Sequence, residues 1–500
     1  MEIAIRAASR CSRQPFISRF LLGSSKRSDF CARDRSSLRR HFASTRLLQL
    51  KLADMAEQDL NALRVREDRL MGDIHYTCQW GTGQRWGDHP TETGMKRLAL
   101  SDSDKQVRDW FASTAKQLGC TVTVDSMGNM FAVRPGKRDG PPTFAGSHLD
   151  TQPSGGRYDG ILGVTAALEM LKTLKDSGIE TEFPVGVVNW TNEEGARFPV
   201  SMISSGVWAE QIPLERAHNL KEVGGGTATM KSELERIGYM GSTPASYRSV
   251  PMAAHFELHI EQGPILEAEE RKIGIVKGVQ AYKWFTVEVR GRDTHTGTTP
   301  FERRADAMLA ASKMILYSHR AATRAGARAS TGILVLEPGS TNTVPGYVRF
   351  SLDVRALEDA KVDAVEEDCR RAFAAIAAGE DVDGLNKDGT PGLACSVDIT
   401  VDSVSPAIKF HEDCISCVRE ASKGLFGDQF DNLTKEMISG AGHDSVYTSY
   451  VCPTSMIFIP CRDGVSHNPT EYSKPEDCAL GAQVLLQSVL RYDKLRASRV

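Results

Sequence analysis

The stretch GSHLDTQPSGGRYDGILGV (146–164) decides the fold of this 500-residue chain. The compact apolar run TFAGS (143–147) leads into it and has the length and composition of a strand inside a covered sheet. After a glycine-rich turn, apolar residues from Ile161 to Leu174 recur at mostly helical spacing, which predicts a helix over 160–176. A buried strand, a loop and a crossover helix form the repeating unit of an α/β protein.

Two further apolar runs, PVGVVNW (184–190) and SMIFIP (455–460), predict more strands of the same sheet. Histidines or carboxylates follow each predicted strand, namely His148, Glu193, Glu194 and His467. Because open α/β sheets bind ligands at the carboxyl edge of their strands, we expect a site at this edge. Beyond the last strand, Ser473 is predicted to cap a helix that has Pro475 near its start.

The composition is typical of a globular protein, with 41% hydrophobic residues, 25% charged residues and a net charge of −3. Without a basic excess, nucleic acid is not expected as a partner. No run approaches the roughly 20 apolar residues that span a bilayer, so no membrane is expected either. The eleven cysteines are scattered, and Cys414 and Cys417 form a lone CxxC, which favours reduced thiols in an intracellular compartment.

The length exceeds what one hydrophobic core usually serves, so the sequence predicts two domains. Within 280–400 the pattern changes to alternating strands, at 284–291 and 347–355, with helical segments at 303–322 and 359–378. We interpret this region as a smaller α+β domain inserted into the larger α/β domain. The larger domain is predicted to consist of two parts, residues 56–279 and 401–500, and the inserted domain of residues 280–400.

Residues 1–55 differ from the remainder of the chain. They are rich in Lys, Arg and Ser, and RRHFAST (39–45) has the character of a processing site. This pattern favours a mitochondrial presequence, with an unstructured leader or a translation start at Met55 as alternatives. The expected location is therefore mitochondrial, or otherwise cytoplasmic.

Imidazole and carboxylate side chains are the ligands that hard or borderline divalent cations take in proteins. His148 and Asp150 point to the same side of an extended segment, because side chains alternate along a strand. Asp150 is thus placed to orient the imidazole of His148. Asp159 comes later, at a helix start, where it is either a metal ligand or only an N-cap.

Glu193 and Glu194 are adjacent carboxylates that would repel each other unless a cation or a shared proton compensates. Adjacent residues point in different directions, so one can bind a metal while the other faces a substrate. The alternative is a solvated acidic turn. His255 and His259 share one face of their segment if it is a strand, although each alone is an ordinary polar position.

Taken in their order along the chain, seven motifs resemble the hydantoinase/carbamoylase group of dinuclear metallo-amidohydrolases. The motifs are GSHLDTQPSGGRYDGILGV, NEEGARF, ELHIEQGP, HTGTTPFERRADAM, NTVPGYVRFSLDVR, SGAGHDS and SHNPTEY. The group includes N-carbamoyl-L-amino-acid hydrolases, β-ureidopropionase and allantoate amidohydrolase. The resemblance covers roughly residues 60–495. It implies an α/β fold, with a zinc-exopeptidase-like catalytic domain around a mostly parallel sheet and an inserted α+β lid and dimerisation domain.

The resemblance, applied to each matching residue in turn, also implies which residues form the active site. The implied metal ligands are His148, Asp159 (bridging), Glu194, His259 and His467. The implied catalytic groups are Glu193 as general acid and base, His295 on the oxyanion, and Asp150. The implied substrate contacts are Gln262, Asn342, Arg355 and His443. Two divalent ions are expected, zinc first, with manganese, cobalt or nickel as alternatives. Thr296 and Phe301 depart from the usual Ala and Met of the family, and neither change removes a reacting group.

The resemblance implies hydrolysis of the ureido C–N bond of N-carbamoyl amino acids, either N-carbamoyl-β-alanine or N-carbamoyl-L-α-amino acids. Allantoate or ureidoglycolate is an alternative substrate, and an aminoacylase or dipeptidase on the same scaffold is an alternative enzyme. A non-catalytic binding protein is the alternative of another class, although such proteins typically lose ligands and none is missing here. Family members commonly pair through the inserted domain, so a homodimer is expected.

Overall fold

The computed structural model describes residues 61–386 and 392–500. The predicted leader, 1–55, lies outside the described residues. The strands are β1 Thr82–Arg85, β2 Thr93–Met95, β3 Thr121–Val124, β4 Met130–Arg134, β5 Thr143–His148, β6 Val185–Trp190, β7 Ala254–Ile260, β8 Ile273–Val279, β9 Ala281–Arg290, β10 Thr294–His295, β11 Arg328–Ser330, β12 Leu334–Glu337, β13 Thr343–Val344, β14 Tyr347–Ala356, β15 Ser396–Ser405, β16 Ile408–Lys409, β17 Thr434–Ser439 and β18 Thr454–Ile459.

The α-helices connect these strands. They are α1 Glu67–Thr77, α2 Asp102–Gln117, α3 Ile161–Asp176, α4 Ile203–Trp208, α5 Leu214–His218, α6 Met230–Ile237, α7 Ile265–Ala268, α8 Ala307–Ala325, α9 Asp359–Ala377, α10 Glu412–Phe426, α11 Phe430–Leu433, α12 Ser445–Thr448 and α13 Pro475–Ala497. No helix of the described ranges is long and apolar enough to cross a membrane. Every cysteine there is a free thiol.

A nine-stranded sheet in the order β16-β8-β18-β7-β5-β6-β4-β3, with β17 also on β8, forms the larger part of the molecule. Its centre, β18-β7-β5-β6, is parallel, and the flanking strands β4 and β8 join it antiparallel. All residues of the four central strands are buried, as expected for strands covered on both faces. Helices α3 and α13 pack on this centre and on each other. The predicted α/β fold with a mostly parallel central sheet is confirmed.

A second, antiparallel sheet of five strands has the order β11-β14-β9-β15, with β12 also on β14. Helices α8 and α9 cover one of its faces and enclose a separate hydrophobic core. The opposite face carries polar and aromatic side chains, because β9 and β14 alternate between buried and exposed positions. Strand β15 stays paired with β9 as far as Ser405, so this sheet runs past the expected boundary at 400.

The predicted cap of the last helix is wrong. Helix α13 begins at Pro475 with Lys474 as its N-cap, and no side chain caps it. The Ser473 hydroxyl donates instead to the carbonyl oxygen of Pro460 at 2.8 Å. Ser473 therefore fastens the chain to the end of β18, one position too early to reach the helix amides.

Candidate metal centre

Five potential ligands meet at the carboxyl edge of the parallel strands. Each is positioned by a different element: His148 ends β5, Asp159 lies two residues before α3, Glu194 follows β6, His259 lies near the end of β7, and His467 follows β18. They form two overlapping groups that could hold a metal ion, and Asp159 belongs to both. We call these five residues the candidate metal centre.

The two carboxylate oxygens of Asp159 face different groups. Oδ1 lies 3.5 Å from Nε2 of His148 and 3.1 Å from Nε2 of His259. Oδ2 lies 3.5 Å from Nε2 of His467, whose Nε2 is also 3.4 Å from Oε2 of Glu194. Nitrogen and oxygen ligands bound tetrahedrally at 2.0–2.1 Å from zinc stand about 3.3 Å apart. The spacing therefore fits a carboxylate that bridges two cations.

The hydrogen bonds of the two buried histidines support this fit. Nδ1 of His148 lies 2.9 Å from the carbonyl oxygen of Asp150, and Nδ1 of His259 lies 2.9 Å from that of Ile260. A carbonyl oxygen only accepts, so each Nδ1 carries a proton, and each ring turns towards Asp159 its Nε2, which has a lone pair when the ring is neutral. Nε2 of His259 has no hydrogen-bond partner. A cation between the lone pairs and the carboxylate satisfies all three groups.

The site concentrates negative charge away from water. Burial raises the pKa of Glu193 well above its usual range, although His148 opposes this effect. Burial, and then the charge of Asp159, raises the pKa of Glu194 to about 7. Hydrogen bonding to Asp159 raises the pKa of His467 to about 9, so a positive charge is favoured at this position. Such a cluster attracts cations, whether protons or metal ions.

Asp150 was predicted to orient the imidazole of His148 with its side chain, but it does so with its main chain. Its backbone carbonyl, and not its carboxylate, accepts from the ring of His148, because the carboxylate oxygen lies 3.9 Å from Nδ1. The carboxylate instead faces the backbone amides of Glu193 and Glu194, each at 3.3 Å. Asp150 thus links the ends of β5 and β6 and positions both glutamates.

A cavity of about 240 Å³ opens beside the ligands. Of the residues predicted to contact substrate, Gln262, Arg355 and His443 line it, as does Glu193. Sequence reasoning missed further lining residues, namely Gln152, Met202, Tyr282 and Trp284. Tyr282 and Trp284 belong to β9, so the exposed face of the five-stranded sheet forms one wall.

Three lining residues already have partners within the protein. Nε2 of Gln262 donates to Oδ2 of Asp159 at 2.8 Å, while its buried Oε1 has no partner. The ring of His443 is tilted against that of His259 with centroids 4.6 Å apart, and burial lowers the pKa of His443 to about 3, so it is neutral. Arg355 forms an ion pair with Asp353 at 2.9 Å.

His295 and Asn342 are not brought to the ligands. His295 ends β10 and Asn342 directly precedes β13, next to which Thr296 donates its amide proton to the carbonyl oxygen of Asn342 at 2.9 Å. Both side chains are exposed and neither lines the cavity. The structure therefore groups these two residues with each other and apart from the candidate metal centre.

Sequence reasoning also missed Glu471, although it lies inside the quoted motif SHNPTEY. Its buried carboxylate accepts from the amides of Tyr158 and Asp159, each at 3.0 Å, and from the hydroxyl of Ser466 at 2.8 Å. Ser466 also lies 3.0 Å from Oδ2 of Asp159. These contacts tie the loop before α3 to the loop of His467. A glutamate five residues after a serine carries no periodic signal that would have identified this link.

Comparisons with known proteins agree on one family. The model of peptidase family M20/M25/M40 matches residues 144–491. An N-carbamoyl-L-amino-acid amidohydrolase of Rhizobium meliloti is 39% identical over 430 residues, 85% of this chain and 96% of the relative. A ureidoglycolate hydrolase of Oryza sativa subsp. japonica is 34% identical over 417 residues, 81% of this chain and 82% of the relative.

Solved structures give the same result. A hydantoinase/carbamoylase family amidase from Burkholderia multivorans has a TM-score of 0.74 at 40% identity, and the match covers 86% of this chain and 98% of that one. The predicted resemblance is thereby confirmed. The chain belongs to peptidase family M20/M25/M40 and, within it, to the hydantoinase/carbamoylase group of hydrolases that act on C–N bonds.

Proposed function

We propose that the protein hydrolyses the ureido C–N bond of N-carbamoyl amino acids, yielding the amino acid, carbon dioxide and ammonia. The observation that carries the proposal is the shared carboxylate of Asp159, which faces two ligand groups beside Glu193 in one cavity. N-Carbamoyl-β-alanine and N-carbamoyl-L-α-amino acids are the proposed substrates. They present the carbonyl, the nitrogen and the carboxylate that such a cavity would bind.

The five ligands would hold two divalent ions, zinc first, with manganese, cobalt or nickel as alternatives. When bound, the ions would supply Lewis acidity for the ureido carbonyl and lower the pKa of a water molecule. Glu193 takes a proton from the attacking water and returns it to the leaving nitrogen. Burial raises the pKa of Glu193, which makes its carboxylate a stronger proton acceptor than an exposed one.

The remaining residues bind and orient the substrate. The unpartnered Oε1 of Gln262 accepts an N–H of the ureido group. Arg355 grips the carboxylate, since a guanidinium matches a carboxylate bidentately. His295 and Asn342 reach the substrate only after the inserted domain closes, and His295 then donates to the oxyanion. The inserted domain is also the proposed contact of a homodimer.

Ureidoglycolate is the second candidate substrate, and the relative from Oryza sativa subsp. japonica with that activity in its name favours it. It too carries a ureido group and a carboxylate. Compared with N-carbamoyl-β-alanine, it is one methylene shorter and bears a hydroxyl group on the carbon next to the ureido nitrogen. Allantoate would be accommodated in the same way if the cavity also admits a second ureido arm.

A substrate panel on purified, metal-loaded protein tests the proposal. N-Carbamoyl-β-alanine, several N-carbamoyl-L-amino acids, ureidoglycolate and allantoate are compared with N-acetyl amino acids and dipeptides. Ammonia release from the ureido compounds is expected, with little hydrolysis of the acyl compounds. Faster cleavage of N-acetyl amino acids or dipeptides would instead assign an aminoacylase or a dipeptidase. Substrate binding without any turnover would indicate a non-catalytic protein.

A further inference from the structure

Arg328 lies directly opposite Arg355 in the antiparallel pair of β11 and β14. On the other side of β14, Arg355 lies opposite Tyr282 of β9. Residues directly opposite each other in an antiparallel pair present their side chains on the same face. Arg328 therefore extends by one strand the row of side chains in which Tyr282 and Arg355 line the cavity of the candidate metal centre.

The two arginines differ in their free donors. Nε and Nη2 of Arg355 donate to Asp353 at 3.0 and 2.9 Å, and Nη1 donates to the carbonyl oxygen of Gly440 at 3.0 Å. Each nitrogen of Arg355 is thus engaged within the protein, which leaves one N–H of Nη1 and one of Nη2 for a ligand. The side chain of Arg328 forms no hydrogen bond or ion pair with any described residue, so its whole guanidinium fork is available.

The charges of this row leave one positive charge uncompensated. Like charges directly opposite each other destabilise a sheet, and Asp353 neutralises only one of the two guanidinium groups. A monoanionic carboxylate would neutralise the other. Because an arginine fork binds a carboxylate bidentately, Arg328 has both the charge and the geometry for such a ligand.

The space next to Arg328 borders the cavity of the candidate metal centre. A second cavity, of about 800 Å³, is lined by Arg328 and Arg355 and shares Gln262, Arg355 and Ala441 with the first. Nη1 of Arg328 lies 3.9 Å from the position that a Cβ on Gly440 would take. The guanidinium of Arg328 thus lies close to Gly440, which directly precedes the residues Ala441 and Gly442 that line the first cavity.

We propose that Arg328 is the free arginine of a two-arginine carboxylate site, in which Arg355 is held in place by Asp353 and Gly440. The inference rests on the proposed function and refines it: the ligand is the carboxylate of the N-carbamoyl amino acid. Substrates whose carboxylate is masked as an amide are rejected at Arg328 as well as at Arg355.

Kinetics with N-carbamoyl-β-alanine and its carboxamide test this site. In Arg328→Gln the preference for the carboxylate, measured as the ratio of the two kcat/KM values, falls about ten-fold or more, mainly through KM. Arg328→Lys restores part of the ratio, because lysine keeps the charge without the fork. Arg349→Gln is the matched control, since Arg349 is exposed on the same face of β14 and lies away from both cavities.

An unchanged ratio in Arg328→Gln, or an equal fall in Arg349→Gln, overturns the inference. Calorimetry separates its failure from that of the proposed function. N-Carbamoyl-β-alanine is titrated into Glu193→Gln protein with and without Arg328→Gln, where Kd is expected to rise about ten-fold or more. An unchanged Kd on adding Arg328→Gln rejects the role of Arg328. If this Kd does rise but the wild-type protein cleaves no ureido compound, only the proposed reaction is rejected.

Discussion

The candidate metal centre and the exposed ladder of β10 and β13 show opposite degrees of organisation. The side chains of His148 and His259 are 1% exposed, and that of Asp159 is 5% exposed, with donor atoms already at the spacing of metal ligands. His295 and Asn342 are exposed and lie outside the cavity. One half of the proposed site is therefore assembled within the chain, whereas the other half would need closure of the proposed inserted domain, or a second copy, to reach a substrate.

The difference follows from the two kinds of sheet. Parallel strands all end at the same edge, so β5, β6, β7 and β18 deliver side chains to one place without further adjustment. The ladder of β10 and β13 has two residues in each strand and joins neither large sheet. Residues held by so short a ladder are positioned by what packs against them.

Replacement of the shared carboxylate is the strongest test of the assembled half. In Asp159→Ala both ligand groups lose a member, so both ions and essentially all activity should be lost. His259→Ala is the matched comparison, because His259 belongs to one group and should cost one ion per chain. Metal analysis of the purified proteins measures both. Two retained ions in Asp159→Ala would contradict the bridging role.

Replacement of Glu193, the proposed general acid and base, should leave the candidate metal centre intact. Glu193→Gln keeps the size of the side chain but cannot accept the proton of water, so kcat should fall by about 10²–10⁴-fold. Metal content should remain that of the wild type, since Glu193 lies outside both ligand groups. Normal turnover, or loss of an ion with the activity, would remove Glu193 from the proposed role.

His295→Ala tests the other half. If its imidazole donates to the oxyanion after closure, kcat should fall by about 10²–10³-fold while metal content and KM change little. His319→Ala is a suitable control, because this histidine lies on α8 of the same region and outside the catalytic cavity. Equal losses in the two variants would show a general effect on the inserted domain, and no loss in His295→Ala would exclude the oxyanion role.

What could be predicted from the sequence follows the same division. The apolar runs at 143–147 and 184–190 and the helix at 160–176 were recognisable, because burial on both faces leaves a continuous apolar pattern. The ligand types after those strands followed from the sheet edge. Contacts between segments that are distant in the sequence have no such pattern, which is why the position of Arg328 opposite Arg355 emerged only from strand register.

Glu471 is the clearest case of a contact without a sequence pattern, and its replacement should have the smallest effect. The amide nitrogen of Glu471→Gln cannot accept, so the variant keeps only part of the link to the Tyr158 and Asp159 amides and to Ser466. Metal affinity should fall about 10–100-fold, measured by competition with a chelator. Glu476→Gln, an exposed first-turn residue of α13, is the control. Unchanged metal affinity in Glu471→Gln would mean that the candidate metal centre is organised by the strands without the link through Glu471.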